Sequence, residues 1–170
     1  GSAVAVAAAD FAIDLVESGD TVSSLVFTVT NVTDTGETLN VDGSALDLLT
    51  DSTGTPVTAD TSYAYTVAYD ATTDVSTVTL SSLTLNEAAA ATLVKAVTYE
   101  NLSDDPTEAN RVVSVEVVDN GLDTDSNDNT TTEQLNTITV SAVNDAPVIT
   151  NTDATNTFTE GGSAVAVAAA

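Results

Sequence analysis

The chain has 170 residues and a formal charge of −24, with 26 carboxylates set against two basic residues, Lys95 and Arg111. Clustered Lys and Arg are what displace counterions from phosphate, so a nucleic-acid partner is excluded, and an anionic membrane surface repels the chain for the same reason. Cys, His, Met and Trp are all absent, which removes disulfides, ordinary zinc or copper sites, and thiol or His-assisted nucleophiles. Carboxylate, amide and hydroxyl oxygens remain in abundance. Hard oxygen ligands suit calcium, although acidic residues also serve to keep an extracellular or halophilic surface soluble. A hydrophobic content of 42% supports one domain with a sizeable core, and no apolar run is long enough to span a membrane.

In chain order, the first feature is "GSAVAVAAA" at 1–9, which returns letter for letter at 162–170. A copy displaced by 161 residues predicts a domain-sized tandem repeat. Residues 1–146 then form one bead, and 147–170 begin the next. "ADFAIDLVESGD" follows, carrying Asp10, Asp14, Glu17 and Asp20 at the end of the first strand region. "SSLVFTVTNV" alternates Leu25, Phe27 and Val29 against Thr28 and Thr30, the period of a half-buried strand. "TSYAYTVAYDATTDVSTVTLSSL" predicts a hairpin, with Tyr63, Tyr65, Val67 and Tyr69 on one face, a loop at 70–74, and Val78 and Leu80 on the return. "LNEAAAATLVKAV" departs from this period. Ala89, Leu93 and Ala96 recur at helical spacing, and Asn86 can cap, so a short helix is expected at about 87–95. "RVVSVEVVDNG" turns Val113, Val115 and Val117 inward, and "NTITVSAVND" does so with Ile138, Val140 and Ala142. Many short strands rich in Thr and Val predict an all-β sandwich.

The carboxylates cluster. Beside the group at 10–20, "YENLSDDPTEAN" carries Glu100, Asp104, Asp105 and Glu108. "VVDNGLDTDSNDN" carries Asp119, Asp123, Asp125 and Asp128. "SAVNDAPVI" places Asn144 and Asp145 where one bead hands over to the next. Two carboxylates ~5 Å apart repel by roughly 3 kcal/mol at an effective dielectric of ~20. Solvent screening or a cation must offset such repulsion. Taken singly, each cluster has a plain reading. "DTDSNDN" lacks the glycine and closing glutamate of an EF-hand and reads as a solvated hairpin loop. "SDDP" reads as a turn, and Arg111 as the partner of a neighbouring acid, of little worth if exposed.

"SAVNDAPVIT" followed by "FTEGGSAV" resembles the junction between tandem bacterial cadherin-like repeats of large surface adhesins, which often accompany VCBS-type or RTX-type modules. "VTYENLSDDPTEANRVVSVEVVDNG" is similar to the second half of such repeats. "ADFAIDLVESGD" matches more loosely, with Glu17 and Ser18 standing where the family carries further aspartates. The resemblance implies a Greek-key, cadherin- or Ig-like sandwich whose interdomain junctions bind calcium. It implies Asn144 and Asp145 as linker ligands with Asp104, Asp105 and Asp119 beneath them. Glu160 of the following bead completes the junction, and Asp14 and Glu17 form the looser site. The counterpart of Glu160 for the first bead falls before Gly1, so that junction is expected to be incomplete.

The function expected from these readings is a non-enzymatic one. The chain is a structural extender or adhesive repeat of a large, secreted bacterial surface protein, its neighbours being further repeats and its rigidity coming from calcium. The alternative is an extracellular filament subunit that forms a homopolymer head to tail through residues 147–170. A glycosidase with paired carboxylates lacks the usual aromatic and basic companions here, and a sugar-binding module lacks Trp for stacking.

Overall fold

The structure is a computed structural model that describes residues 1–15, 19–121, 129–143, 147–150, 157 and 159–165. It is an all-β sandwich of two antiparallel sheets with one short helix. The longer sheet is built on β2 (Val22–Val29), whose Leu25, Phe27 and Val29 are fully buried while intervening residues are only half-buried. β2 is flanked by β6 (Val75–Ser81) and β8 (Arg111–Asp119). β5 (Ala64–Asp70) and β9 (Thr130–Ile138) form the two outer strands, giving the order β5-β6-β2-β8-β9. The smaller sheet has the order β1-β7-β3-β4, from β1 (Val4–Ala5), β7 (Thr98–Asn101), β3 (Glu37–Val41) and β4 (Ser44–Asp47). Leu39, Val41 and Tyr99 of this sheet share one apolar cluster with Phe27, Val78, Val113 and Val115 of the other. That shared cluster is what joins the two layers.

The hairpin of β5 and β6 forms as its alternation predicts, with Val67 buried and Tyr65 and Tyr69 packed against the core. The helix α1 spans Glu87–Ala96, one residue beyond the expected end. Asn86 caps it, its side-chain oxygen accepting from the Ala89 N–H at 2.9 Å. Ala90 and Val94, a helical turn apart, enter the core.

One expectation needs correction, and one element was not expected. The last strand lies earlier than "NTITVSAVND": β9 begins at Thr130 and ends at Ile138. Its first five residues are all exposed, so an edge strand with no buried face left no alternation to read. The hairpin of β3 and β4 was not anticipated, although Asp42-Gly43 is a strong signal for a two-residue turn with both residues at positive φ. The observed φ values are 47° and 74°. An added Cβ at Gly43 would stand 2.6 Å from the Asp60 carboxyl carbon.

Two stability changes follow from this packing. Gly43→Val forces a β-branched residue into the left-handed region and displaces Asp60, and is expected to cost roughly 2–3 kcal/mol in urea denaturation. Ser76 is buried and its hydroxyl has no hydrogen-bond partner. Ser76→Ala is therefore expected to be neutral or to stabilise by up to about 1 kcal/mol in the same assay.

Candidate functional site

The loop at 102–110, which carries Asp104 and Asp105, joins β7 to β8, and a buried ionic cluster holds it in place. Arg111 opens β8 and is fully buried. A buried guanidinium is tolerable only when its charge and its N–H donors are all matched. Its Nη2 lies 2.9 Å from Asp34 Oδ2 and 2.6 Å from Glu37 Oε1, and its Nε donates to Glu37 Oε2 at 3.1 Å. Nη1 donates to the carbonyls of Thr107 and Ala109 at 2.9 and 2.6 Å, closing the loop onto the arginine. From the other side, Asp34 accepts from the Thr107 N–H and hydroxyl and from the Asn101 side-chain amide. Tyr99 of β7 donates its hydroxyl to Glu37 Oε2 at 2.8 Å.

The titration behaviour matches this environment. Burial alone would raise the Asp34 carboxyl, but hydrogen bonds from Thr107 and Asn101 and the Arg111 charge outweigh it and hold it below the ordinary carboxylate value. Burial, and the bond donated to Glu37, push the Tyr99 phenol well above its usual range. At the β3–β4 turn, Asp42 is likewise held low, with bonds from Thr58 and Thr61 outweighing its burial.

The expected metal ligands fall into two groups. Asp104 and Asp105 are exposed on the loop before β8, whereas Asp119 ends that strand. β8 has nine residues, so its ends are eight steps apart, about 27 Å at ~3.4 Å per residue. One bead therefore does not bring Asp119 beside Asp104 and Asp105. Asp119 Oδ1 accepts from the Gly121 N–H at 2.8 Å. Asp14 is exposed along a groove of about 370 Å³ with Val115, Val117 and Glu133, nearer the Asp119 end. Glu160 is exposed. Glu17, Asn144 and Asp145 lie outside the described residues.

Because β9 runs antiparallel to β8, Ile138 pairs with Arg111, and the chain leaves the sandwich at the Asp104 end. The Ala142 N–H donates to Glu108 Oε1 at 3.0 Å, tying the departing chain to the acidic loop. A cleft of about 410 Å³ opens there, lined by Ser2, Val4, Tyr99, Asp104, Ile138 and Val143 among others. Among the described residues, no three or more carboxylates gather as a metal site. Sequence reasoning missed the roles of Asp34, Glu37 and Thr107. The contacts of Asp34 and Glu37 to Arg111 span 77 and 74 residues, and no local pattern encodes them.

Among the described residues, no helix is long and apolar enough to cross a membrane. No family model, curated protein or solved structure matches the chain.

The cluster supports two expectations. Arg111→Leu leaves Glu37 and Asp34 buried without their cation and should lower unfolding free energy by about 3–5 kcal/mol, read by urea denaturation. Asp34 has a folded pKa below its unfolded value of about 3.9, so the stability it contributes is complete at neutral pH and is lost as pH falls through that folded value. Melting temperatures measured from about pH 5 to about pH 2 should decline, and Asp34→Asn should make the decline shallower.

Proposed function

We propose that the chain is one bead, with the start of the next, of a tandem-repeat extender or adhesive region in a large secreted bacterial surface protein, and that calcium stiffens the junctions between beads. The observation that carries this reading is the nine-residue identity between 1–9 and 162–170. A domain-length repeat in a strongly acidic chain describes an array of mutually repelling beads, and their ends are where a cation has the most repulsion to offset. The resemblance of "SAVNDAPVIT" and "FTEGGSAV" to cadherin-like junctions supports the same reading, and with it a Greek-key, cadherin-like sandwich and a role without catalysis.

Asp104 and Asp105 occupy the end from which the chain departs, and Asp119 occupies the opposite end. Gly1 donates to the Asn101 carbonyl at the Asp104 end, so a linker between beads runs from the Asp104 loop of one to the same end of the next, away from Asp119. Asn144, Asp145 and the next bead's Glu160 supply further oxygens between the two beads. Calcium bound there neutralises carboxylates from both beads and fixes their relative angle.

Calcium that binds only the folded protein stabilises it by mass action. With a dissociation constant of ~10⁻⁴–10⁻³ M, as in extracellular modules, ~10 mM calcium should raise the melting temperature of a two-bead protein by roughly 3–10 °C over chelator. An unchanged melting temperature overturns the calcium part of the proposal. Asp145→Ala removes a linker ligand without touching either core. In calcium, small-angle scattering should show the two-bead mutant less extended than its parent, because its linker reverts to a flexible hinge. Equal extension would reduce Asp145 to a turn residue.

A further inference from the structure

β1 is held at the edge of the smaller sheet by few interactions. Val4 and Ala5 pair with Tyr99 and Thr98 of β7. The Val6 N–H donates to the Val97 carbonyl at 3.1 Å, the Gly1 nitrogen donates to the Asn101 carbonyl at 3.0 Å, and Asn136 reaches the Ala5 carbonyl at 3.4 Å. Val6 is the anchor: it is fully buried, and Ala7 follows it into the core. Every group that the slot's occupant contributes is part of "GSAVAVAAA", and residues 162–170 repeat that segment without a change. Gly162 replaces Gly1 with an amide N–H that can donate to the same carbonyl, and Val167 stands in the place of Val6.

We propose that the β7 edge is a binding site for this segment, and that residues 162–170 of the same chain are its second occupant, exchanging with residues 1–9. The path is short. Residues 138–141 and Val143 line the same cleft as Gly1, Ser2, Val4 and Tyr99, so the chain leaves the fold beside the slot. Residues 144–161, eighteen in all, connect this cleft to the repeated segment, and a connection of that length gives an effective concentration on the order of millimolar. At micromolar protein the chain's own tail outcompetes that of any other molecule. Both occupants make identical contacts, so the equilibrium is set by the connections alone. In the structure residues 1–9 hold the slot, and the described residues 159–165 are exposed. In an array, the exchange folds the segment that starts one bead back onto the bead before it. This inference needs neither calcium nor adhesion, and it is tested in chelator.

The test is a pair of substitutions in the full chain, read by thermal melting. Val6→Asp places a charge in a fully buried position, yet it should cost less than ~3 °C because the tail copy takes over. Val167→Asp alone should leave the parent value. Together they should lower the melting temperature by about 10 °C or more. If Val6→Asp alone falls as far as the double variant, the tail does not enter the slot and the proposal fails. It fails equally if the double variant melts with the parent. A rescue of Val6→Asp that fades on dilution and accompanies a dimer in size-exclusion chromatography assigns the tail to a second molecule, which overturns the own-chain assignment.

Discussion

Of the two basic residues in this chain, one is sealed inside it, and the acidic end of the sandwich is organised around that charge. Arg111 draws together Asp34, just before β3, Glu37, which begins β3, and Tyr99 of β7, while its own strand lies in the opposite sheet. The cluster therefore ties one sheet to the other with directional bonds, where the apolar core supplies only non-directional burial. Five oxygen acceptors satisfy the guanidinium, and two of them are loop carbonyls. The loop carrying Asp104 and Asp105 is thus folded from beneath, by the arginine, and not by any contact among its own carboxylates. Buried ion clusters add little net stability compared with apolar packing, but removing one partner is costly. Here the cost of rearranging the cluster is what fixes the loop.

This arrangement separates two uses of negative charge. Asp34 and Glu37 are interior and matched, with hydrogen bonds to every side. Asp104, Asp105 and Glu160 are exposed and face water. Asp34, held below the ordinary carboxylate value, makes the fold sensitive to acid; the second group lies where solvent ions can reach it. The sandwich can hold so many carboxylates because it distributes most of them over loops and strand ends, leaving the inner faces of β2, β6 and β8, apart from Ser76 and Arg111, to Val, Leu and Phe.

What the sequence reveals depends on the range of the interaction. Alternation along β2, β5, β6 and β8, and the Asn86 cap of α1, are local, and each was readable from a few consecutive residues. β9 was misplaced because its early residues, Thr130 to Gln134, have no buried side. β3 escaped notice because its length is five residues and its buried positions include a charged one, Glu37, which breaks the expected apolar pattern. Arg111 looked like an exposed partner for a nearby acid. Its true partners lie 74 and 77 residues away, and only the fold brings them together. The separation of Asp119 from Asp104 was hidden for a related reason: a strand of nine residues looks short in a sequence, yet it spans the whole domain.

Under the proposed tandem arrangement, the outer strand β9 bears on how neighbouring repeats coexist. Sheets end in rows of unpaired backbone groups, and a second sheet end of matching shape is the natural adhesive for them. In a tandem protein the same edge recurs at every repeat, and neighbours held on one chain meet far more often than free molecules do. Similar adjoining domains are prone to misassemble with one another. β9 meets that hazard with an exposed run of Thr, Glu and Gln, and with a register shift opposite Val113 and Ser114 that distorts the ladder. Its polarity gives a neighbouring edge nothing apolar to bury. Under that arrangement, a chain pulled open and released would recover repeat by repeat, each sheet finding its own strands before it finds its neighbour's.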